Sequence, residues 1–183
     1  QDDGIRYAVE TDSRNTQHTF GVSTFFLDSK GGVVLLYNST INNHVVVNRA
    51  YASPETNGMT FVFDRSDVLE GTLPSDDYAD PHTLVRANGD IWLIIMNQET
   101  GKRPQKDQVG TIHAYISHDD GVTFDYEGQL IAWSDWKKDE VRSLNDPKLV
   151  EFPEGTLRIY FAAWIPDETM EEGFRWDLLS AHN

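Results

Sequence analysis

The stretches "DPHTLVRANGDIWLIIMN" (80–97) and "DPKLVEFPEGTLRIYFAA" (146–163) match each other in order along the chain. Each has Asp-Pro, a short apolar segment, a glycine nine residues after the aspartate and then a strongly apolar run. The segment "STFFLDSKGGVVLLYN" (23–38) has the same shape, with Ser23 nine residues before Gly32. Three copies whose starts lie 57 and 66 residues apart indicate a repeat architecture.

Each copy predicts a β-hairpin, because two apolar runs flank a turn that contains glycine. The second run is apolar almost throughout, which indicates burial on both faces of its sheet. Four-stranded units of about 60 residues without a convincing amphipathic helix predict an all-β fold of β-propeller blades. A solenoid or a β-sandwich is the alternative. Third strands are predicted at 44–51, 111–117 and 175–181, and fourth strands begin at Thr60 and Thr123.

The repeat predicts one partial β-propeller domain over residues 1–183. Its blades cover about 20–66, about 78–133 and about 143–183, and the last lacks an outer strand. The segment "IRYAV" (5–9) alternates like an edge strand and is predicted as a closing strand. Three blades do not close a ring, so the chain is expected to be part of a longer propeller or half of a six-bladed homodimer.

Composition excludes several classes of function. Fifteen basic and thirty acidic residues give a net charge of −15, which repels nucleic acid and anionic lipid. The sequence has no cysteine, so disulfides and thiol catalysis are absent. The chain starts at Gln1, and removal of a signal peptide or trimming would account for that start. These features favour a secreted protein, extracellular or periplasmic, that acts on neutral or cationic material.

The stretch "SHDDGVTF" (117–124) lies between the third and fourth strands of the second unit. Asp119 can accept backbone N–H bonds within the turn, Gly121 permits positive φ, and Phe124 can pack between sheets. We therefore expect the stretch to fasten the blade, with catalysis by its carboxylates as the alternative. The first unit has a looser counterpart at 53–61, and Ser180 is expected to begin a third copy.

This stretch resembles the Asp-box, or BNR repeat, which is typical of sialidases and related propellers. The match holds at Ser117, Asp119, Gly121, Thr123 and Phe124. The Asp-Pro hairpins resemble those of five- and six-bladed glycoside hydrolases, and the resemblance covers about residues 20–183. It implies that the Asp-box turns lie away from the central site. The Arg-Ile-Pro segment typical of true sialidases is absent, so a glycosidase acting on a neutral sugar is the better match.

The propeller geometry gathers four long, acidic connections on one rim of the central channel: residues 71–81, 97–110, 134–147 and 165–176. Asp80 and Asp146 begin equivalent inner strands on this rim, and glycoside hydrolysis needs two carboxylates. The resemblance implies that such aspartates act as base or as a stabiliser that tunes the acid. We predict both as catalytic, Glu140 as the acid and Arg142 as a substrate ligand. The alternative is that Asp-Pro only caps each strand.

Four aromatic side chains are candidates for stacking on sugar faces, although wedging between blades is the alternative: Tyr78, Trp133, Trp136 and Trp164. No cofactor is expected, because His82 and His113 lack metal-ligand spacing. Asp76-Asp77 and the acidic run 167–172 could hold Ca²⁺, but a solvated loop is favoured. The sequence thus predicts a glycoside hydrolase. A non-catalytic carbohydrate-binding or assembly propeller is the rival interpretation.

Overall fold

The computed structural model describes residues 4, 7, 21–41, 44–69, 78–98, 110–136 and 140–182. Two 3₁₀ turns, Pro54–Thr56 and Trp133–Asp135, accompany the strands of this part of the chain. No helix in it is long and apolar enough to cross a membrane. The strands are β1 (Ser23–Leu27), β2 (Val33–Ile41), β3 (His44–Ala52), β4 (Val62–Arg65), β5 (Tyr78–Val85), β6 (Ile91–Asn97), β7 (Thr111–Ser117), β8 (Asp125–Ala132), β9 (Ser143–Glu151), β10 (Leu157–Pro166) and β11 (Phe174–His182).

These strands form three antiparallel sheets, each built from strands that follow one another in the chain. Their orders are β1-β2-β3-β4, β5-β6-β7-β8 and β9-β10-β11. We call them the first, second and third blade. The predicted all-β fold of propeller blades, incomplete at about three blades, is confirmed. Among the described residues the third blade has three strands.

The blades meet through their first strands, which lie side by side. The hydroxyl oxygens of Thr24 on β1 and Thr83 on β5 are 3.0 Å apart. His82 Nε2 on β5 lies 3.2 Å from the carbonyl oxygen of Leu149 on β9. The first strand of each blade is therefore the innermost, as in a propeller, and the later strands radiate outward.

Most of the described core forms two apolar layers between blades, with β6 contributing to both, and a smaller cluster of Leu35, Tyr37 and Ala50 lies on the first blade. Leu93 and Ile95 belong to the cluster between the first and second blades, whereas Ile94 belongs to the cluster between the second and third. All three are fully buried. Burial of each such side chain contributes about 1.5–3 kcal/mol. The apolar run of β6 thus reflects burial on both faces, as its sequence predicted.

The turns that follow the inner strands show how the repeat aligns. Gly31, Gly89 and Gly155 all have positive φ, at 82°, 91° and 86°. The strand pairs flanking these turns begin at Leu27–Val33, Val85–Ile91 and Glu151–Leu157. The glycine of the first copy is therefore Gly31 and not Gly32. Asp80 and Asp146 each lie five residues before the last residue of their inner strand, and Val22 has the same position in the first blade.

This alignment corrects two expectations. Val22, and not Ser23, occupies the place of the two aspartates in the first blade. Ser180 pairs with Tyr160 two residues before the end of β11, whereas Ser117 pairs with Ile91 at the end of β7, so Ser180 does not begin a third copy of the turn. Within the predicted closing strand 5–9 the structure describes Tyr7. Its hydroxyl lies 3.0 Å from that of Tyr37 on the first blade, and the rest of that segment lies outside the described residues.

Candidate active site on the channel rim

Asp80 and Asp146 occupy equivalent β-bulges on neighbouring inner strands. Asp80 and Pro81 stand opposite Ile95 alone, and Asp146 and Pro147 stand opposite Phe161 alone. Both aspartates have positive φ, at 51° and 50°, a conformation that Asp tolerates better than most residues. Proline suits a bulge because it has no N–H to donate to the ladder. Bulges of this kind re-aim side chains and often adjoin active sites.

The two bulges bring the two aspartates together. The backbone N–H of Asp146 donates to Oδ2 of Asp80 at 3.3 Å, so this bond joins two blades and does not cap a local turn. Burial raises the pKa of the half-buried Asp80 carboxyl, and the Asp146 carboxylate adds to that rise. The bond from Asp146 N–H and the charge of Lys148 oppose the rise without cancelling it. Asp146 itself is exposed. One acid that holds its proton more tightly therefore stands beside a second, solvent-facing acid.

Lys148 is a member of this site that sequence reasoning missed. Its positive charge lowers the pKa of Asp80 and that of His82, although burial is the main cause of the low pKa of His82. Lys148 follows the second Asp-Pro, where the first copy has His82. The change from histidine to lysine at this position was the signal in the sequence. A residue two positions after the aspartate still belongs to the inner strand and so stays near the bulge.

Glu140 and Arg142 lie in the connection that leads into β9. Glu140 is exposed, and Arg142 is half-buried with its backbone N–H donating to the carbonyl of Trp164 at 2.9 Å. The connection enters β9 at the end that carries Asp146. Both residues therefore lie at the end of the third blade that carries Asp146, and their roles stay predictions.

Trp133 and Trp136 pack between blades. Both are half-buried against the apolar cluster of the second and third blades. The Trp136 ring meets Phe161 edge-on, with the ring centroids 5.8 Å apart. Their positions agree with the wedging alternative and leave part of each ring toward solvent.

Tyr78 is a correction to the predicted substrate-binding set. It is only 4% exposed and lies in the cluster between the first and second blades. Its hydroxyl lies 2.9 Å from that of Tyr115, as expected of a buried phenol that needs a polar partner. The ring is therefore a core element and offers no face to a sugar.

A partly exposed aromatic row at the β10–β11 end was only partly predicted. Trp164 packs edge-on against Phe174 at 4.6 Å, and Phe174 meets Trp176 at 6.1 Å between centroids. Trp164 and Trp176 are cross-strand partners, and Trp176 is 54% exposed. The alternation in "FRW" (174–176) was the signal for two aromatic residues on one face. This aromatic row stands at the same end of the third blade as Asp146.

The turn at 117–124 is held together internally by Asp119. Its carboxylate accepts from Val122 N–H, Thr123 N–H, the Thr123 hydroxyl and the Ser117 hydroxyl at 2.7–3.1 Å. Burial opposes ionisation of Asp119, but these hydrogen bonds together hold its pKa below the usual value. The carboxylate thus completes a closed turn.

The same turn fastens the second blade onto the first. Asp120 accepts from the N–H and hydroxyl of Ser29 at 3.0 and 2.7 Å, which lowers its pKa. Phe124 is fully buried between the two blades. Ser117 pairs with Ile91, at the opposite end of β6 from the pair Tyr78–Asn97. The turn is therefore remote from Asp80.

No group of three or more potential metal ligands occurs among the described residues. Asp167, which opens the acidic run 167–172, bonds the Thr169 hydroxyl at 2.6 Å and Arg175 at 2.9 Å. These partners lower its pKa to about 2. His113 lies buried against Thr111, and burial lowers its pKa to about 4. The other Ca²⁺ candidate, Asp76-Asp77, lies outside the described residues.

No protein-family model and no curated protein matches the chain. Solved structures do match its fold. An endo-arabinase from Bacteroides thetaiotaomicron aligns with TM-score 0.73 and 12% identity, over 100% of this chain and 62% of that one. An α-L-arabinofuranosidase from Fusarium graminearum aligns at 0.65 and 13%, over 92% and 46%. A thermostable family-43 glycoside hydrolase aligns at 0.62 and 14%, over 94% and 54%. The chain thus shares their fold over roughly half to three-fifths of their length.

Proposed function

We propose that this chain carries part of the active-site rim of a glycoside hydrolase that acts on a neutral sugar. One observation carries the proposal. Two aspartates in equivalent left-handed bulges are joined by a hydrogen bond between neighbouring inner strands, and the half-buried one, Asp80, has a raised pKa. A half-buried carboxyl with a raised pKa beside a second carboxyl marks a candidate functional site, and glycoside hydrolysis requires carboxylates in this kind of proximity. The shared fold with arabinan- and arabinofuranoside-cleaving enzymes supports the same class.

The chemistry assigns a role to each acid. Glu140 donates a proton to the glycosidic oxygen as the bond from that oxygen to the anomeric carbon breaks. One of Asp80 and Asp146 accepts the proton of the attacking water, or attacks directly, while the other adjusts the field around the acid. Arg142 holds a substrate hydroxyl. Trp133, Trp136 and the aromatic row of Trp164, Phe174 and Trp176 provide apolar faces for the sugar rings.

The charge pattern favours a neutral substrate. Arg49, Arg86 and Arg175 have their charges paired in ion pairs with Asp64, Glu151 and Asp167, respectively. The net charge of −15 repels acidic polymers. We propose that the likeness to sialidases is limited to the Asp-box turn of residues 117–124 as a fastening device. We also propose that the protein is secreted, extracellular or periplasmic, where polysaccharides are met.

A second candidate is a non-catalytic carbohydrate-binding or assembly propeller. The partly exposed aromatic row favours it, since sugar-stacking surfaces need no acid. In either case the partner is a carbohydrate, and the ring is completed by the remainder of a longer propeller or by a second copy of the chain.

Reducing-end release and binding calorimetry on the same oligosaccharides separate the two functions. The panel begins with arabinan fragments and extends to other neutral polysaccharides. The hydrolase proposal expects release that is lost in both Asp80→Asn and Asp146→Asn, with binding of the sugar retained. Binding without release by the wild type would overturn it in favour of the second candidate.

A further inference from the structure

Neighbouring inner strands are joined at one recurring position of the repeat. It lies two residues after the place of the two aspartates, and Thr24 and His82 occupy it in the first and second blades. Thr24 Oγ1 accepts from the backbone N–H of Thr83 on β5 at 3.3 Å, and His82 Nε2 lies 3.2 Å from the carbonyl oxygen of Leu149 on β9. Both partners stand one position further along the repeat in the next blade. Side chains at this position therefore set how one inner strand is offset from the next.

His82 makes this connection as a neutral donor. A carbonyl oxygen only accepts, so the hydrogen lies on Nε2 and the ring donates it to Leu149. Burial lowers the pKa of His82, and the charge of Lys148 adds to that effect, although the bond to Leu149 opposes it. The ring is therefore uncharged at neutral pH. It joins the two strands without placing a positive charge two residues from Asp80.

The bond from His82 runs alongside the bond between the two acids. The backbone N–H of Asp146 donates to Oδ2 of Asp80 at 3.3 Å, just beyond the usual range of about 2.7–3.2 Å for N–H···O bonds. A small increase in the separation of β5 and β9 would therefore break it. The His82 ring has only two side-chain torsions, so its bond to Leu149 is the stiffer of the two connections.

An ion pair joins the same two strands at their other end. Arg86 follows β5, and its Nη2 lies 2.6 Å from Oε1 of Glu151, the last residue of β9. These residues stand six and five positions after Asp80 and Asp146, respectively. Because strands rise about 3.3 Å per residue, the ion pair lies well beyond the acids. It connects the same blades as His82 but at a distance from the candidate active site.

We propose that His82 is a positioning residue of the candidate active site. Its Nε2–H holds β5 against β9 at the offset that keeps the Asp80 carboxyl partly shielded from water and within hydrogen-bond reach of Asp146. The role of His82 in catalysis rests on the proposed function, whereas its effect on the Asp80 carboxyl is measurable without a substrate.

Carbon-13 NMR titration of the aspartate carboxyls measures that effect in the 183-residue protein. The signal that is missing from Asp80→Asn identifies Asp80. His82→Leu removes the donor but keeps an apolar side chain, and the pKa of Asp80 is expected to fall toward the ordinary aspartate value because the loosened strands admit water. His82→Gln keeps an amide N–H near the place of Nε2 and is expected to retain the raised pKa.

Two further variants keep the test decisive. Arg86→Met removes the ion pair to Glu151 and is the matched control. It is expected to lower the unfolding free energy in urea and to leave the titration of Asp80 unchanged. His82→Met is a second variant without a donor, and it replaces His82→Leu in the comparison if His82→Leu does not fold.

Steady-state rates on an aryl glycoside that the wild type cleaves test the role in catalysis. His82→Leu is expected to lower kcat about 10- to 100-fold with little change in KM, because the acids are displaced while the groups that bind the sugar remain. His82→Gln is expected to recover most of the lost kcat. Arg86→Met is expected to match the wild type.

An unchanged pKa of Asp80 in the variants without a donor would overturn the proposal. An equal fall in His82→Gln or in Arg86→Met would also overturn it, since general loosening of the blades would then account for the change. Unchanged kcat in His82→Leu or His82→Met would overturn the role in catalysis. A wild type that cleaves no glycoside would contradict the proposed function, and the titration would still decide whether His82 positions Asp80.

Discussion

Asp80 has a left-handed backbone conformation, which is unfavourable for a residue other than glycine. Its partial burial and the neighbouring carboxylate of Asp146 both disfavour its charged form. Its raised folded pKa means that its contribution to stability is complete below the unfolded pKa, near 4, and is lost as the pH rises through the folded pKa. Above the folded pKa the wild type therefore holds a half-buried charge at a cost.

Asp80→Asn is accordingly expected to raise the melting temperature at pH 7, and the gain is expected to shrink below about pH 4. Thermal melts of both proteins from pH 3 to pH 8 measure this difference. Asp119→Asn is the matched control and is expected to lower the melting temperature at pH 7, because hydrogen bonds stabilise the charged form of Asp119 and lower its pKa. A lower melting temperature of Asp80→Asn at pH 7 would contradict the assignment of Asp80 as a destabilising acid.

Lys148→Met removes the positive charge that lowers the pKa of Asp80. We expect the limb of the pH–rate profile that reports Asp80 to move to higher pH, with a change in pH optimum but not in fold. Lys148→Arg keeps the charge and should leave the profile in place. Superimposable profiles for the wild type and Lys148→Met would show that Lys148 does not affect a group that titrates during catalysis.

At the scale of residues, spacing identified Asp80 and Asp146 because both precede a proline and stand nine residues before a glycine. It could not identify Val22 as their counterpart, since the adjacent glycines Gly31 and Gly32 fit the pattern equally well and only strand register distinguishes them. Tyr78 was misplaced for a related reason. The face on which the first residue of a strand lies depends on register, which the sequence does not state.

At the scale of elements, the turn at 117–124 illustrates how a short motif connects two blades. Asp119→Asn removes the charge that four donors contact, and we expect it to cost about 1–2 kcal/mol of unfolding free energy at pH 7. Because the folded pKa of Asp119 is lowered, that stability is present above the unfolded pKa and is lost as pH falls through the folded pKa. Urea titrations at pH 7 and pH 3 should therefore show a larger difference at pH 7 than at pH 3. An equal difference at both values would contradict this.

Two glycines in turns provide a matched pair. Gly121 and Gly155 both have positive φ, but a Cβ added at Gly121 would overlap the Phe26 ring, whereas nothing lies within 4 Å of one added at Gly155. Gly155→Ala is expected to cost about 1 kcal/mol for the left-handed backbone alone. Gly121→Ala is expected to cost about 1–3 kcal/mol more, because the inter-blade contact must shift. If both variants lose the same unfolding free energy in chemical denaturation, the turn at Gly121 is not in close contact with the first blade.

The elements themselves were largely predictable. Apolar runs such as that of β6 identified the strands, because burial on both faces leaves an unmistakable pattern. The roles of the residues in the turn at 117–124 were predictable, because hydrogen bonding by Asp119, positive φ at Gly121 and packing by Phe124 all arise within one short segment. The bulges of β5 and β9 were not, since a bulge depends on which residues of the partner strand lie opposite.

At the scale of the whole molecule, the outward faces of the arc are apolar. Phe25 on the first blade is 71% exposed and Leu178 on the third is 74% exposed. Large apolar side chains exposed to this degree favour association with another surface. The 183-residue chain is therefore expected to self-associate with rising concentration in sedimentation velocity, and Leu178→Lys is expected to reduce that association. A wild-type chain that stays monomeric at all concentrations would contradict the expectation.

The number of blades and their order followed from the repeat, but the composition of the rim did not. The rim joins residues from separate copies, such as Asp80 with Asp146 and Lys148, and their proximity depends on how neighbouring inner strands are offset. The same reasoning explains why the bond from His82 to Leu149 was not foreseen. It joins two copies of the repeat whose offset the sequence does not state.

Initial rates on an aryl α-L-arabinofuranoside, together with a panel of other neutral aryl glycosides, test the central claim most directly. The wild-type chain is expected to release the aryl group in proportion to protein concentration. Asp80→Asn and Asp146→Asn are expected to lower the rate about 10²- to 10⁴-fold while retaining the fold by circular dichroism. Turnover that survives in both variants, or its absence in the wild type on every glycoside, would contradict a catalytic pair on this rim.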